Sequence, residues 1–170
     1  KAKNIELVLI TNGTLLNQEW IDIFANFKNI SIIFSIDGTE DTFEFIRHPA
    51  KWTVIKEKLN LLDKIRDNKF FICISFTYQI YNILQIKNMI ELIREHKISI
   101  SPTILDTPNY LDVSFAPDAL KNVAITMIDN INPLNNTEKI FLRDCKNALG
   151  RNIFDKDKSK KMIEVTLLKD

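Results

Sequence analysis

An α/β fold built from parallel βα units is what these 170 residues predict, and three observations carry the prediction. Four short runs rich in isoleucine and phenylalanine (Ile5–Ile10, Ile30–Ile36, Phe70–Tyr78 and Ile98–Leu105) alternate with stretches whose apolar residues recur at helical spacing. A rhythm of strand, helix, strand, helix is that of parallel strands joined by right-handed crossovers. Within three of the runs, small hydroxyl or thiol side chains fall on one face and large apolar ones on the other.

The first strand, Ile5–Ile10, closes in the turn Thr11-Asn12-Gly13. Asn17 stands where a helix N-cap belongs, with Trp20, Phe24 and Phe27 at helical spacing behind it. In the second strand Ser31, Ile33, Ser35 and Asp37 alternate with Ile32, Phe34 and Ile36, and Gly38 follows. One face is apolar, and the other turns polar toward the carboxyl end, where α/β sheets bind ligands. Thr39–Ile46 reads as a short helix or turn leading into Arg47-His48-Pro49. Pro49 disfavours helix at His48, so the main helix runs from about Lys51 to Arg66 and buries Trp52, Ile55, Leu59 and Leu62.

Phe70–Tyr78 is the third strand, and Ile83, Ile86, Ile90 and Ile93 mark a helix ending near His96. Pro102 argues for an edge position or a bulge, and the fourth strand, Ile98–Leu105, reads as lying at or near one side of the sheet. After Thr107-Pro108-Asn109, Leu111–Phe115 reads as a short extended piece. Pro117 is expected as the first residue of a helix using Leu120, Val123, Met127 and Ile131. Asn135-Asn136-Thr137 opens another, with Phe141, Cys145 and Leu149 on one face and Gly150 as C-cap. The expected organisation is four βα units over 1–115 and a helical C-terminal extension over 116–170.

The chain is 45% hydrophobic and 26% charged with a net charge of +1, which suits a soluble globular protein and gives no electrostatic reason to expect nucleic acid or a membrane surface as partner. No apolar run approaches the roughly 20 residues of a membrane span. Lys1–Asn4 runs straight into a strand with no signal-peptide pattern, and the start without a methionine reads as that of a fragment. Only 3 glycines occur, which excludes the glycine-rich phosphate loops of P-loop NTPases, kinases and ordinary dinucleotide folds. Cys73 and Cys145 lie far apart and read as core thiols in a reducing, cytoplasmic compartment. Lys156, Lys158, Lys160 and Lys161, in the tail 155–170, read as a solvated face.

Period-two alternation puts Cys73, Ser75 and Thr77 on one face of the third strand and Ser99, Ser101 and Thr103 on one face of the fourth, to match Ser31, Ser35 and Asp37. A closed eight-stranded barrel fills its interior with Val, Ile and Leu, so small polar groups point instead to a wide cavity holding water and a polar ligand. The alternative is a face open to solvent; parallel connections favour the cavity, because both faces of such sheets are normally covered. Arg47 either reaches over the end of the second strand to hold a carboxylate or lies on the surface. Asp37 either accepts from a ligand hydroxyl or belongs to an ordinary Asp-Gly turn. His48 and His96 read as surface or helix-end residues. No nucleophile, base and orienter set supports a hydrolase.

Thr11-Asn12-Gly13 closing one strand and Ser35-Ile36-Asp37-Gly38 closing the next resemble the consecutive strand-end motifs of radical S-adenosylmethionine enzymes. Arg47 followed by Trp52-Thr53-Val54-Ile55 is similar to the family's arginine and aromatic-led helix. Pro108-Asn109-Tyr110-Leu111 with Ala116-Pro117-Asp118 and Lys121 resembles the branch bearing a C-terminal "twitch" extension. The likeness runs from Ile5 to Lys121, with a fainter trace at Phe154-Asp155-Lys156.

The resemblance implies a partial TIM barrel of six βα units, (βα)6, of which this chain matches the later four. It implies S-adenosylmethionine and a [4Fe-4S] cluster as cofactors, and a 5′-deoxyadenosyl radical that takes hydrogen from a substrate. Neither the CxxxCxxC cluster loop nor the glycine-rich strand end that holds the methionine amino group occurs in these residues. The chain alone is therefore expected to be inactive and to hold no metal. By the same resemblance, Ser35 and Arg47 contact the methionine or ribose of the cofactor. Thr77 and Asn12 line the pocket, the backbone near Leu105 lies against adenine, and Asp37 faces the substrate. The alternative function is a non-catalytic α/β module binding a small polar ligand or a protein partner. An exposed edge on the first strand further suggests a dimer.

Overall fold

The computed structural model describes residues 2–65, 69–151 and 160. Its sheet holds four strands, β1 (Glu6–Thr11), β2 (Asn29–Ser35), β3 (Phe70–Tyr78) and β4 (Ser99–Ile104), in the order β1-β2-β3-β4. It is a parallel sheet, as the alternating rhythm predicts: β1 pairs with β2 from Glu6↔Asn29 to Thr11↔Phe34, and β2 with β3 from Ile30↔Phe70 to Ser35↔Ser75. Six α-helices occur among the described residues: α1 (Gln18–Phe24), α2 (Glu40–Ile46), α3 (Trp52–Ile65), α4 (Ile86–Glu95), α5 (Asp118–Asp129) and α6 (Asn136–Leu149). Because neighbours in the sheet are neighbours in the chain, right-handed crossovers all fall on the same side of it.

The chain groups into two compact units. One comprises the residues up to Phe76 together with Glu91–Ser101; the other comprises Thr77–Ile90 and the chain from Pro102 onward. The core of the first unit is the apolar sheet face, on which Ile30, Ile32, Phe34 and Ile36 of the second strand and its extension are wholly buried, with Ile72, Ile74 and Phe76 beside them. Phe43 of α2 meets Trp52 of α3 with ring centroids 5.4 Å apart. The second unit has its own core, in which Val113, Phe115, Ala124, Ile128, Phe141 and Cys145 are buried.

Local chemistry explains the element ends. Asn17 caps α1 by accepting from the Trp20 N–H at 3.0 Å, and Asn135 caps α6 by accepting from the Glu138 N–H at 2.9 Å. For α3 the cap comes from the preceding helix: Glu44 Oε1 accepts from the Trp52 N–H at 3.0 Å while Oε2 receives Lys51 Nζ at 2.6 Å. The Lys51 hydrogen bond, followed by that from Trp52, holds the Glu44 carboxyl below its ordinary value of 4.5. A lowered native value means the stabilisation is complete above the ordinary value and is lost as acid takes the group through its native one. Glu44→Gln is thus expected to be less stable than the parent at pH 7, with a narrower gap at pH 3. Urea denaturation at the two pH values checks this; an unchanged gap overturns it.

Several expectations need correction. α1 ends at Phe24, so Phe27 lies beyond it. Ile83 closes a short 3₁₀ turn, Ile80–Asn82, and α4 begins only at Ile86. Residues 111–115 are not extended: they belong to two 3₁₀ turns, Asn109–Leu111 and Val113–Phe115. Asp112 Oδ1 accepts from the Ser114 N–H at 2.8 Å, a side-chain bond that favours a turn over a strand. Pro117 occupies the N-cap of α5 rather than its first turn, and the buried stripe is Lys121, Ala124 and Ile128, leaving Val123 exposed. The small Ala124 lets that face lie close to the core. The fainter likeness at Phe154–Lys156, and the lysine-bearing tail apart from exposed Lys160, lie outside the described residues.

Candidate functional site

The polar end of β2 is where charge is brought together. The strand stops at Ser35, Ile36 donates its N–H to the Ser75 carbonyl at 3.2 Å, and the buried Asp37 follows. Helix α2 then carries the chain out and back. Arg47, its C-cap, donates its N–H to the Phe43 carbonyl at 2.8 Å. Its side chain returns over the strand end so that Nη2 sits 2.5 Å from Asp37 Oδ2, with Asp37 4% and Arg47 31% exposed. Arg47 therefore does hold a carboxylate, and that carboxylate is the protein's own. The Arg47 Nε, buried, has no hydrogen-bond partner.

The remaining expected site residues are distributed as follows. Asn12 is exposed just after β1, and its Oδ1 accepts from the Thr14 N–H at 3.2 Å and the Thr14 hydroxyl at 3.0 Å. Ser35 is half-buried at the last position of β2. In the second unit Thr77 is half-buried near the end of β3, and its carbonyl accepts from Asn82 Nδ2 at 2.8 Å. Leu105, one residue past β4, donates its N–H to the Tyr78 carbonyl at 3.1 Å. Within the first unit, Asp37 and Arg47 of the set form an ion pair with each other.

The shared hydroxyl face exists, and among the described residues it is only partly covered. Ser35 lies opposite Ser75 in the register, and buried Ile100 turns Ser99 and Ser101 the other way, to the same side. Ser31, Ser35, Ser75, Thr77 and Ser99 are half-buried, Cys73 is buried, and Ser101 and Thr103 are exposed. The same face carries Val8, Ile10 and Phe71, all exposed. Every crossover of a consecutively ordered parallel sheet falls on the opposite side. The cleft present in the first unit lies on that opposite side and is apolar. Leu7, Leu9 and Thr11 of β1 face Leu15, Leu16, Trp20 and Phe24 across about 270 Å³.

Both cysteines are buried and free, in different units. Burial raises the Cys73 thiol, and burial followed by the Asp144 carboxylate raises that of Cys145, so neither is activated as a nucleophile or ligand. Among the described residues no group of three His, Cys, Asp or Glu side chains is placed to hold a metal ion. His96 is not a surface residue: it is 2% exposed, and its Nδ1 lies 2.6 Å from Asp63 Oδ2, tying the end of α4 to α3. The two residues are 33 positions apart, so no local signal pairs them. His48 is exposed, as expected.

The geometry defines a parallel α/β protein in which a buried aspartate is paired with a partly exposed arginine at the carboxyl end of the second strand. Neither models of known protein families nor curated proteins match the chain. No helix among the described residues is long and apolar enough to cross a membrane.

Proposed function

We propose that this chain supplies part of the S-adenosylmethionine and substrate pocket of a radical S-adenosylmethionine enzyme, its βα units forming a portion of a (βα)6 partial barrel. The observation that carries the reading is Arg47, held over a strand end by Asp37 with its Nε buried and without an acceptor. A guanidinium has five donors in a planar fork, and a buried donor left unmatched costs about 1–3 kcal/mol. An incoming carboxylate or hydroxyl removes that cost, and the methionine and ribose ends of the cofactor offer both. Consecutive strand order with one-sided crossovers is the winding of a barrel wall, which supports the same reading.

In this reading Ser35 and Arg47 bind the methionine or ribose, Asn12 and Thr77 line the pocket, the backbone at Leu105 lies against adenine, and Asp37 orients Arg47 while facing the substrate. Cys73 and Cys145, buried in separate units, do not fit a [4Fe-4S] cluster, so its ligands belong to a part of the enzyme outside these residues. When bound, the cofactors supply hydrogen abstraction from the substrate; the protein binds, orients and excludes water.

Calorimetric titration of S-adenosylmethionine tests the reading. The parent chain is expected to bind, and Arg47→Ala to weaken binding by about tenfold or more. Arg47→Lys should fall between them, because a point charge does not reproduce the fork. No binding to the parent, or equal binding to Arg47→Ala, overturns the proposal. The other reading, a module that engages a protein partner, is favoured by the apolar cleft beside β1.

A further inference from the structure

The extended backbone of β3 runs one residue past the strand. Gln79 has φ −149° and ψ 172°, so period two carries its side chain to the face that holds Thr77. The peptide that joins Tyr78 to Gln79 accepts the Leu105 N–H at 3.1 Å, which sets Gln79 beside the backbone at Leu105, at the carboxyl end of the strands. These residues all belong to the second unit.

A capping box fixes the side chain. Gln79 Oε1 accepts from the Asn82 N–H, and the Gln79 N–H donates to Asn82 Oδ1 at 2.8 Å. Asn82 is itself wholly buried and held in place, because its Nδ2 donates to the Thr77 carbonyl at 2.8 Å. A primary amide is planar, so holding Oε1 on Asn82 also aims Nε2 and its two N–H donors. Those donors meet no acceptor among the described residues, although Gln79 is only 7% exposed. Oε1 keeps a second lone pair beyond the one that Asn82 uses. The amide thus offers a donor and an acceptor side by side, in an orientation set before any ligand arrives.

We infer that Gln79 reads the adenine base of the cofactor, with Nε2 donating to N7 and Oε1 accepting from the N6 amino group. This rests on the S-adenosylmethionine reading, in which adenine lies against the backbone at Leu105. The edge of adenine presents an acceptor next to a donor, and it is the edge that glutamine and asparagine pair with in a DNA groove. Base selectivity follows from the lock. Hypoxanthine carries an oxygen where adenine has its amino group, so Oε1 would face a second acceptor. Turning the amide over would not help: it would break the bond from the Asn82 N–H and set Oε1 against N7.

Calorimetric titration of the full chain with S-adenosylmethionine, and with its deaminated counterpart in which hypoxanthine replaces adenine, tests the assignment. The parent is expected to prefer the adenine compound by about tenfold or more. Gln79→Met removes donor and acceptor together and is expected to bind the two compounds about equally. Gln79→Glu keeps an acceptor for the Asn82 N–H, so the turn is retained, but it sets an oxygen against N7. That variant is expected to bind S-adenosylmethionine about tenfold or more weakly than the parent. Circular dichroism checks the fold of each; if Gln79→Met is not folded, the parent's preference and Gln79→Glu decide. Equal affinity of the parent for both compounds, a preference that survives in Gln79→Met, or parental affinity in Gln79→Glu overturns the inference and leaves the cofactor reading standing. A parent that does not bind S-adenosylmethionine overturns both.

Discussion

Gly13→Ala is expected to lose about 2–5 kcal/mol of stability, the combined cost of forcing a left-handed backbone on an L-residue and of overpacking a full core. Gly13 has φ +78°, and a β-carbon there would overlap Phe34 Cε1 and lie 2.6 Å from Cδ1. Phe34 is wholly buried in the middle of the apolar sheet face, so its ring has nowhere to go. The Gly13 N–H, bonded to Thr11 Oγ1 at 3.0 Å, adds a second constraint on the same turn. Urea denaturation measures the loss. Because the two residues collide directly, Gly13→Ala combined with Phe34→Leu should cost less than the sum of the single changes. A single variant within about 0.5 kcal/mol of the parent would show that the turn relaxes freely and that the strand end is not held as described.

The Asp37–Arg47 pair is expected to respond unequally to removal of its two members. Breaking a fully buried pair costs about 3–5 kcal/mol, and partial exposure reduces this through solvent screening. Arg47→Ala leaves the carboxylate, 4% exposed, without its cation; Asp37→Ala leaves a guanidinium already 31% open to water. The first should therefore cost about 2–3 kcal/mol and the second about 1–2 kcal/mol. A double-mutant cycle in urea checks both the order and the coupling between the residues. The reverse order, or a coupling near zero, would mean that the ion pair does not fix Arg47 over the strand.

How much of this was legible in the residues depends on how local the cause is. The third strand could be read to the residue, because Ile72 to Tyr78 alternates between large apolar and small side chains behind Phe70-Phe71. Asn17 and Asn135 announced their helices through their own side chains, and Pro102 announced an edge by the N–H it lacks. The grouping of Ser35 with Ser75 followed from period two alone. Whether that face is sealed did not follow, since closure depends on what lies over the sheet and not on the strands themselves. Arg47 meeting Asp37 depends on how a two-turn helix returns, and His96 meeting Asp63 on how two helices pack. For 111–115 the apolar residues suggested a strand, and the single carboxylate of Asp112 decided otherwise.

Strand order that repeats chain order has a consequence for biogenesis. As the polypeptide leaves the ribosome, β2 can dock on β1 before β3 has been made, and β3 on β2 before β4. Growth then proceeds like courses of brick, with a sticky margin that advances one row at a time. The row bearing Pro102 seals that margin, because a proline offers no N–H to a further strand.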